Sequence, residues 1–150
     1  MFYDLFLLAN GELSVNPLNG VPKAVFFGYK RKWYWVFLGE LKDRLSYDEA
    51  MQVAQETKLC GVSCSLMPAS DLLGLFSDIK GLNAMKKRFG LREIPTSIAR
   101  FWAESKDGNH SYVVINEGHV GLRFRNGGLH CAYALPVLAC DKGRCLSRLL

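Results

Sequence analysis

The run Trp33-Tyr34-Trp35-Val36-Phe37-Leu38 has no charged or amide position on either parity. In a strand, alternation puts Trp33, Trp35 and Phe37 on one face and Tyr34, Val36 and Leu38 on the other. A strand that is apolar on both faces has to be covered on both, so this segment is expected at the centre of a layered fold. The chain can supply those layers. Its 150 residues, 49% apolar and 22% charged, describe one self-sufficient domain, 1–150. Such a chain buries roughly 70% of its unfolded surface without disulfide or metal staples. The same composition excludes a disordered tail, a collagen-like repeat and a coiled coil. No apolar run approaches the roughly 18 residues needed to span a bilayer.

The elements fall into three blocks. In the first, Tyr3–Leu8 is an apolar run, and Asn10-Gly11 turns it into Glu12–Val15. Met1–Ala9 has no basic n-region and is interrupted by Asp4, so it reads as a strand and not as a signal peptide. Residues 16–22, with two prolines and a glycine, read as a loop. Lys23–Tyr29 and Lys32–Leu38 form a second hairpin around Lys30-Arg31.

The second block is helical. Ser46-Tyr47-Asp48-Glu49 is a capping box, and Ala50, Val53 and Ala54 make a narrow stripe that can pack close to a sheet. Ser70 and Asp71 are expected to start a second helix, with Leu72, Leu73, Leu75, Phe76 and Ile79 buried and Gly81 as its stop. Leu82–Phe89 has room for a short third helix closed by Gly90, whose last-turn Lys86, Lys87 and Arg88 are favoured by the helix dipole.

The third block returns to strands. Phe101–Glu104, Ser111–Asn116 and His119–Arg125 are separated by turns at 106–109 and Glu117-Gly118. Val120, Leu122 and Phe124 share one parity, and His119, Gly121, Arg123 and Arg125 the other, so one face is core and one is wet or ligand-facing. Asn126-Gly127-Gly128 turns into a last strand, His130–Cys140, whose Pro136 belongs at an edge or bulge. Strands, helices, strands is an α+β order with mostly antiparallel sheets. The first and last strands, Tyr3–Leu8 and Tyr133–Ala139, are both apolar and terminal and are expected to pair.

Charge is uneven. Residues 1–58 carry seven Lys/Arg and seven Asp/Glu, while 59–150 carry twelve and seven, so the net +5 lies after residue 58. Its clusters are Lys86-Lys87-Arg88, Arg123 with Arg125, and a basic tail over 141–150 holding Lys142, Arg144 and Arg148. Short, dispersed clusters suit a solvated face, and no nucleic-acid reader motif accompanies them, so no specific nucleic acid is expected. Five cysteines, Cys60, Cys64, Cys131, Cys140 and Cys145, leave at least one without an intrachain partner. The spacings C-x3-C and C-x4-C lie near zinc-ligand spacings, but free thiols behaving as small hydrophobes are the expectation.

Several stretches taken in order resemble a known family. They are LANGELSVNPLNGVPKAVFF, YWVFLGE, the capped helix LSYDEAMQVAQ, LMPASDLLGLF at a helix start, FWAES, and SYVVINEGHVGLRFRNGGLHCAYALPVLAC. Over roughly residues 5–140 the chain is similar to the Lcl-type C-terminal domain family of bacterial and phage domains. Leu135 stands where that family usually has Arg, and Cys140 where it has Phe. The resemblance implies a C-type-lectin-like fold and, more loosely, a binding role. Relatives by fold include host- or sugar-binding tips and variable proteins of retroelement systems, and also formylglycine-generating enzymes, whose ligands do not align here. The Glu-Pro-Asn and Trp-Asn-Asp runs of calcium-dependent sugar binders are absent from the chain.

Candidate sites are few. Trp102 with Glu104 would suit a sugar ring, although a strand tryptophan is ordinarily core. His110, His119 and His130 stand at three strand starts beside turns, where exposed polar residues are expected. Cys131 beside His130 is poor chemistry, since strand neighbours face opposite ways. Asp48, Glu49 and Asp71 are explained by helix capping, and Asp107 and Glu117 by turns. No nucleophile, metal or phosphate-loop motif is present, so no catalytic residue, metal ligand or cofactor is assigned. The expectation is a non-enzymatic binding module for a protein or glycan, with ligand residues Trp102, His119, Arg123, Arg125 and Asn126. The alternatives are a structural subunit of a phage particle or surface assembly and, further off, a metal- or thiol-dependent enzyme. A homo-oligomer is compatible with either binding role. The expected location is cytoplasmic, or carried on a particle or exported by a route other than a Sec-type signal.

Overall fold

A computed structural model describes residues 2–15, 21–105, 110–117, 119–124 and 131–140. It opens with β1 (Phe2–Leu8), β2 (Leu13–Ser14), β3 (Pro22–Tyr29) and β4 (Lys32–Phe37). Lys30 and Arg31 close the β3–β4 hairpin with φ of 46° and 65°, the paired left-handed values that suit a two-residue hairpin turn. Then follow α1 (Tyr47–Glu56), a small hairpin of β5 (Lys58–Leu59) and β6 (Val62–Ser63), and helices α2 (Ala69–Phe76) and α3 (Ile79–Arg88). The last part holds β7 (Ile98–Trp102), β8 (Ser111–Asn116), β9 (His119–Phe124) and β10 (Val137–Cys140). The fold is α+β, with antiparallel sheets and, among the described residues, three helices.

The larger sheet has the order β10-β4-β3-β1-β2. Trp33–Leu38 therefore lies inside it, with Val36 opposite Val25 on one side and Val137 on the other. Both faces are covered, as its composition demands. Tyr34, Val36 and Leu38 join the main core, built with Leu72, Leu75 and Phe76 of α2 and Ile79 and Leu82 of α3. Trp35, with Trp33 and Phe37, packs on the opposite side against Phe26, Leu59 and Cys64 under the β5–β6 hairpin.

The expected pairing of the first and last strands is not found. β1 pairs β3 and β10 pairs β4, so two strands separate them. The reason is that the β3–β4 hairpin occupies the middle and offers one edge to each terminal strand. The far edge of β1 is taken by β2. Pro136 directly precedes edge strand β10, and its carbonyl accepts from the Phe37 N–H at 3.2 Å. The last strand is also shorter than expected, because residues 131–137 make separate bridges, Ala132 to Leu45, Tyr133 to Phe101 and Val137 to Ser65.

The capping box at α1 is present in full. The Ser46 hydroxyl accepts from the Glu49 N–H at 3.2 Å, and the Glu49 carboxylate accepts from the Ser46 N–H at 2.9 Å. Those bonds hold the Glu49 carboxyl below its ordinary value. Ser46→Ala should cost about 1 kcal/mol, read as a lower urea midpoint with an unchanged slope.

The helical block departs from expectation at its centre. Ser77–Asp78, not Gly81, divides it, and Asp78 caps α3 by accepting the Gly81 N–H at 3.2 Å. Gly90, at φ +70°, ends α3 as expected. The Gly90 N–H reaches the Lys87 carbonyl and the Leu91 N–H the Lys86 carbonyl, the Schellman arrangement. Gly74 lets α2 settle on β3, since a Cβ there would lie 2.5 Å from the Tyr29 ring.

The second sheet, β7-β8-β9, packs Ala99, Phe101, Val113 and Ile115 into the main core. Phe101 meets Phe76 of α2 at 4.7 Å between ring centroids, so α2 lies between the two sheets. Among the described residues no helix is long and apolar enough to cross a membrane.

Candidate functional site

Register builds an outer face on β7-β8-β9. The cross-strand rows are Ile98–Asn116–His119, Arg100–Val114–Gly121 and Trp102–Tyr112–Arg123. The alternation read for His119–Arg125 holds for its described side chains: Val120 and Leu122 turn to the core, while His119 and Arg123 are exposed. Arg100 and Arg123 are in no ion pair among the described residues, and none of the nine residues of the three rows carries a carboxylate. Arg123 lies along its own strand, with Nη1 donating to the Leu122 carbonyl at 2.9 Å. Gly121 gives it that path, because a Cβ there would come within 3.0 Å of Nη1. Ile98 is 59% exposed at the far corner. The face thus offers two guanidinium groups and an imidazole beside apolar surface, a donor set for anionic groups.

Trp102 requires correction. It belongs to the same parity but is 1% exposed. Its Nε1 donates to the Leu45 carbonyl at 2.8 Å, and Tyr47, His110 and Tyr112 surround its ring. It is the anchor of the α1 contact, buried with Ala50, Ala54 and Leu66, and cannot present a plate to a ligand. Glu104 is held apart from it in a bridge to Pro68. Arg125, Asn126 and His130 lie outside the described residues, as do Cys145 and the basic tail.

His110 stacks on Tyr47 at 3.9 Å, while His119 stands exposed at the opposite end of the second sheet. Among the described residues no group of three or more His, Cys, Asp or Glu is placed to hold a metal. Cys60 and Cys131 are exposed free thiols and Cys64 a buried one. Burial pushes the Cys64 thiol up to about 11 and raises Cys60 as well, so neither favours the thiolate.

Two buried charges were not foreseen. Asp71 does not cap α2; Pro68 occupies the cap position and makes no side-chain bond. Asp71 is instead 2% exposed and accepts from the Tyr34 hydroxyl, while Lys32 Nζ lies 3.2 Å from the same oxygen. Burial, and then Asp71 beside it, pushes the Tyr34 phenol well above its ordinary value, so it stays a donor. This carboxylate is spoken for: it ties β4 to α2 and is no free base.

Lys86 is the other. The helix-end pattern predicts a solvated cation here, but Lys86 is 2% exposed. It continues the stripe Ile79–Leu82–Lys86 on α3. Among the described residues its ammonium has no ion pair and no hydrogen-bond acceptor. It lines a cavity of about 170 Å³ with Asp43, Arg92, Glu93, Ile94 and Tyr133. Asn83 fixes one wall by bonding Ile94 twice, Nδ2 to its carbonyl at 2.9 Å and Oδ1 from its N–H at 2.7 Å. Burial alone lowers Lys86 to about 8.

Compared with protein-family models, curated proteins and solved structures, the chain matches none.

Proposed function

We propose that this chain is a non-enzymatic binding module of bacterial or phage origin with a C-type-lectin-like fold, and that its ligand surface is the outer face of β7-β8-β9. The fold part draws on the similarity to the Lcl-type domains and on the α+β order with helices between two strand blocks. The observation that carries the site is that Arg100, His119 and Arg123 stand exposed on one face without a carboxylate among its described residues. A ligand meeting such a face brings anionic groups, on a glycan or on a protein. Arg125 and Asn126 follow β9 directly in the chain and belong to the same proposal.

The test is a glycan array that contrasts sulfated and uronic-acid glycans with neutral ones. The anionic glycans should be retained preferentially, and retention should fall as salt rises. Arg100→Ala/Arg123→Ala, two exposed changes with little effect on folding, should weaken capture by about tenfold or more. Equal retention of neutral glycans, or unchanged capture by the double variant, would sink the assignment.

A further inference from the structure

The cavity above Lys86, lined by α3, residues 92–95, Leu41, Asp43 and Tyr133, shares no residue with the three rows of that face. We propose that it is a binding site for a small organic monocarboxylate, with Lys86 as the counter-charge at its floor. Three observations converge. Lys86 is almost wholly buried and its ammonium is unpartnered among the described residues, so a cation already stripped of most of its water faces an open space. An entering carboxylate would supply the missing acceptor and the missing charge together.

The walls select the rest of the ligand. Leu41, Ile94, Pro95 and the Tyr133 ring are apolar and suit a short hydrocarbon body. Burial first, and then Asp43, which also takes its hydroxyl bond, raises the Tyr133 phenol, so Tyr133 gives the cavity a ring wall and Lys86 is the donor. Asp43, Arg92 and Glu93 are exposed and form the rim. Arg92 is engaged by Glu40 at 3.4 Å. Arg92 already has Glu40, so Lys86 is the lining's remaining cation: one negative charge is matched there, and a second meets Asp43 and Glu93. A monocarboxylate is therefore favoured over a phosphate dianion. At about 170 Å³ the space corresponds to about five or six waters, the scale of a ligand of six or seven heavy atoms.

The experiment titrates the full chain with isovalerate and follows amide resonances by NMR. Saturable shifts at Lys86 and residues 92–94 are expected, with Kd on the order of 1 mM for so small a ligand. Isovaleramide, the same body without the charge, should bind at least about tenfold more weakly, and so should inorganic phosphate. Lys86→Met, an unbranched side chain one atom shorter and without the charge, should cost about tenfold or more in isovalerate affinity. Four results would overturn the proposal: no saturable shift up to about 20 mM, equal binding of isovaleramide, tighter binding of phosphate, or unchanged affinity in Lys86→Met. The amide and phosphate arms need no variant, so the outcome does not depend on how Lys86→Met folds.

Discussion

Asp71→Ala should cost the fold about 3 kcal/mol, the upper end of the range for leaving a buried donor without its partner. The carboxylate is 2% exposed and holds two partners on one oxygen, the Tyr34 hydroxyl and the Lys32 ammonium. Removing it leaves the Tyr34 hydroxyl, in a residue also 2% exposed, without its acceptor. The cost comes from that orphaned donor more than from Lys32, whose side chain is 56% exposed and regains water. Tyr34→Phe should therefore cost less, about 1–2 kcal/mol, because Asp71 keeps its cation. The double variant should be less destabilised than the sum of the two by about 1–2 kcal/mol. Urea unfolding of the four proteins measures all of this, and thermal midpoints should fall by about 6–12 °C for Asp71→Ala. A loss below about 1 kcal/mol would mean that the pair is incidental.

Lys86→Met should act in the opposite direction and raise stability by about 3 kcal/mol at neutral pH. Lys86 falls from 10.5 to about 8 on folding through burial, so the folded state binds its proton less tightly than the unfolded chain does. Between those values the unfolded chain holds more protons, and linkage makes wild-type stability rise with pH. The penalty is complete below about 8 and gone above 10.5. Cys64 and Tyr34 run the other way: both are acids raised on folding, and their contribution is lost as pH climbs past their unfolded values of 9.0 and 10.0. Both proteins share those groups, so the difference between them isolates Lys86. That difference should shrink by about 2 kcal/mol between about pH 7 and about pH 9.5 in urea unfolding. A constant difference would show that Lys86 does not lose its proton in that window.

Local pattern carried much of this fold. The doubly apolar Trp33–Leu38 was legible as an interior strand because covering both faces is a demand made by six consecutive residues. The Ser46 box was legible because both its bonds span three residues. The parity of His119 and Arg123 followed from period-2 alternation. What stayed hidden was non-local. The edge taken by β10 depends on where the β3–β4 hairpin sits, and no short pattern encodes that. Asp71 resembles a first-turn helix acid, and the partner that explains it lies 37 residues away in β4. Helical spacing did hold a signal, since Asp71 falls beside Leu72 and Leu75, and Lys86 falls in line with Ile79 and Leu82. A charge on an apolar stripe marks either a partner or a cavity, and here one of each is found. Arg100 was missed because β7 begins at Ile98, three residues before the strand expected at Phe101.

The bridges made by residues 131–140 also impose an order in time. A ribosome delivers them after every other described residue, yet they complete β4, Leu45, Ser65 and Phe101 at once. Until they emerge, β4 shows a bare hydrogen-bonding edge flanked by Trp33 and Trp35, and the two sheets lack the segment that bridges to both. Closure between segments so distant in the chain is slow, and an open apolar edge invites pairing with neighbouring chains meanwhile. The edge of β4 therefore stays open until this segment emerges, and closure of the two sheets belongs to the moment after.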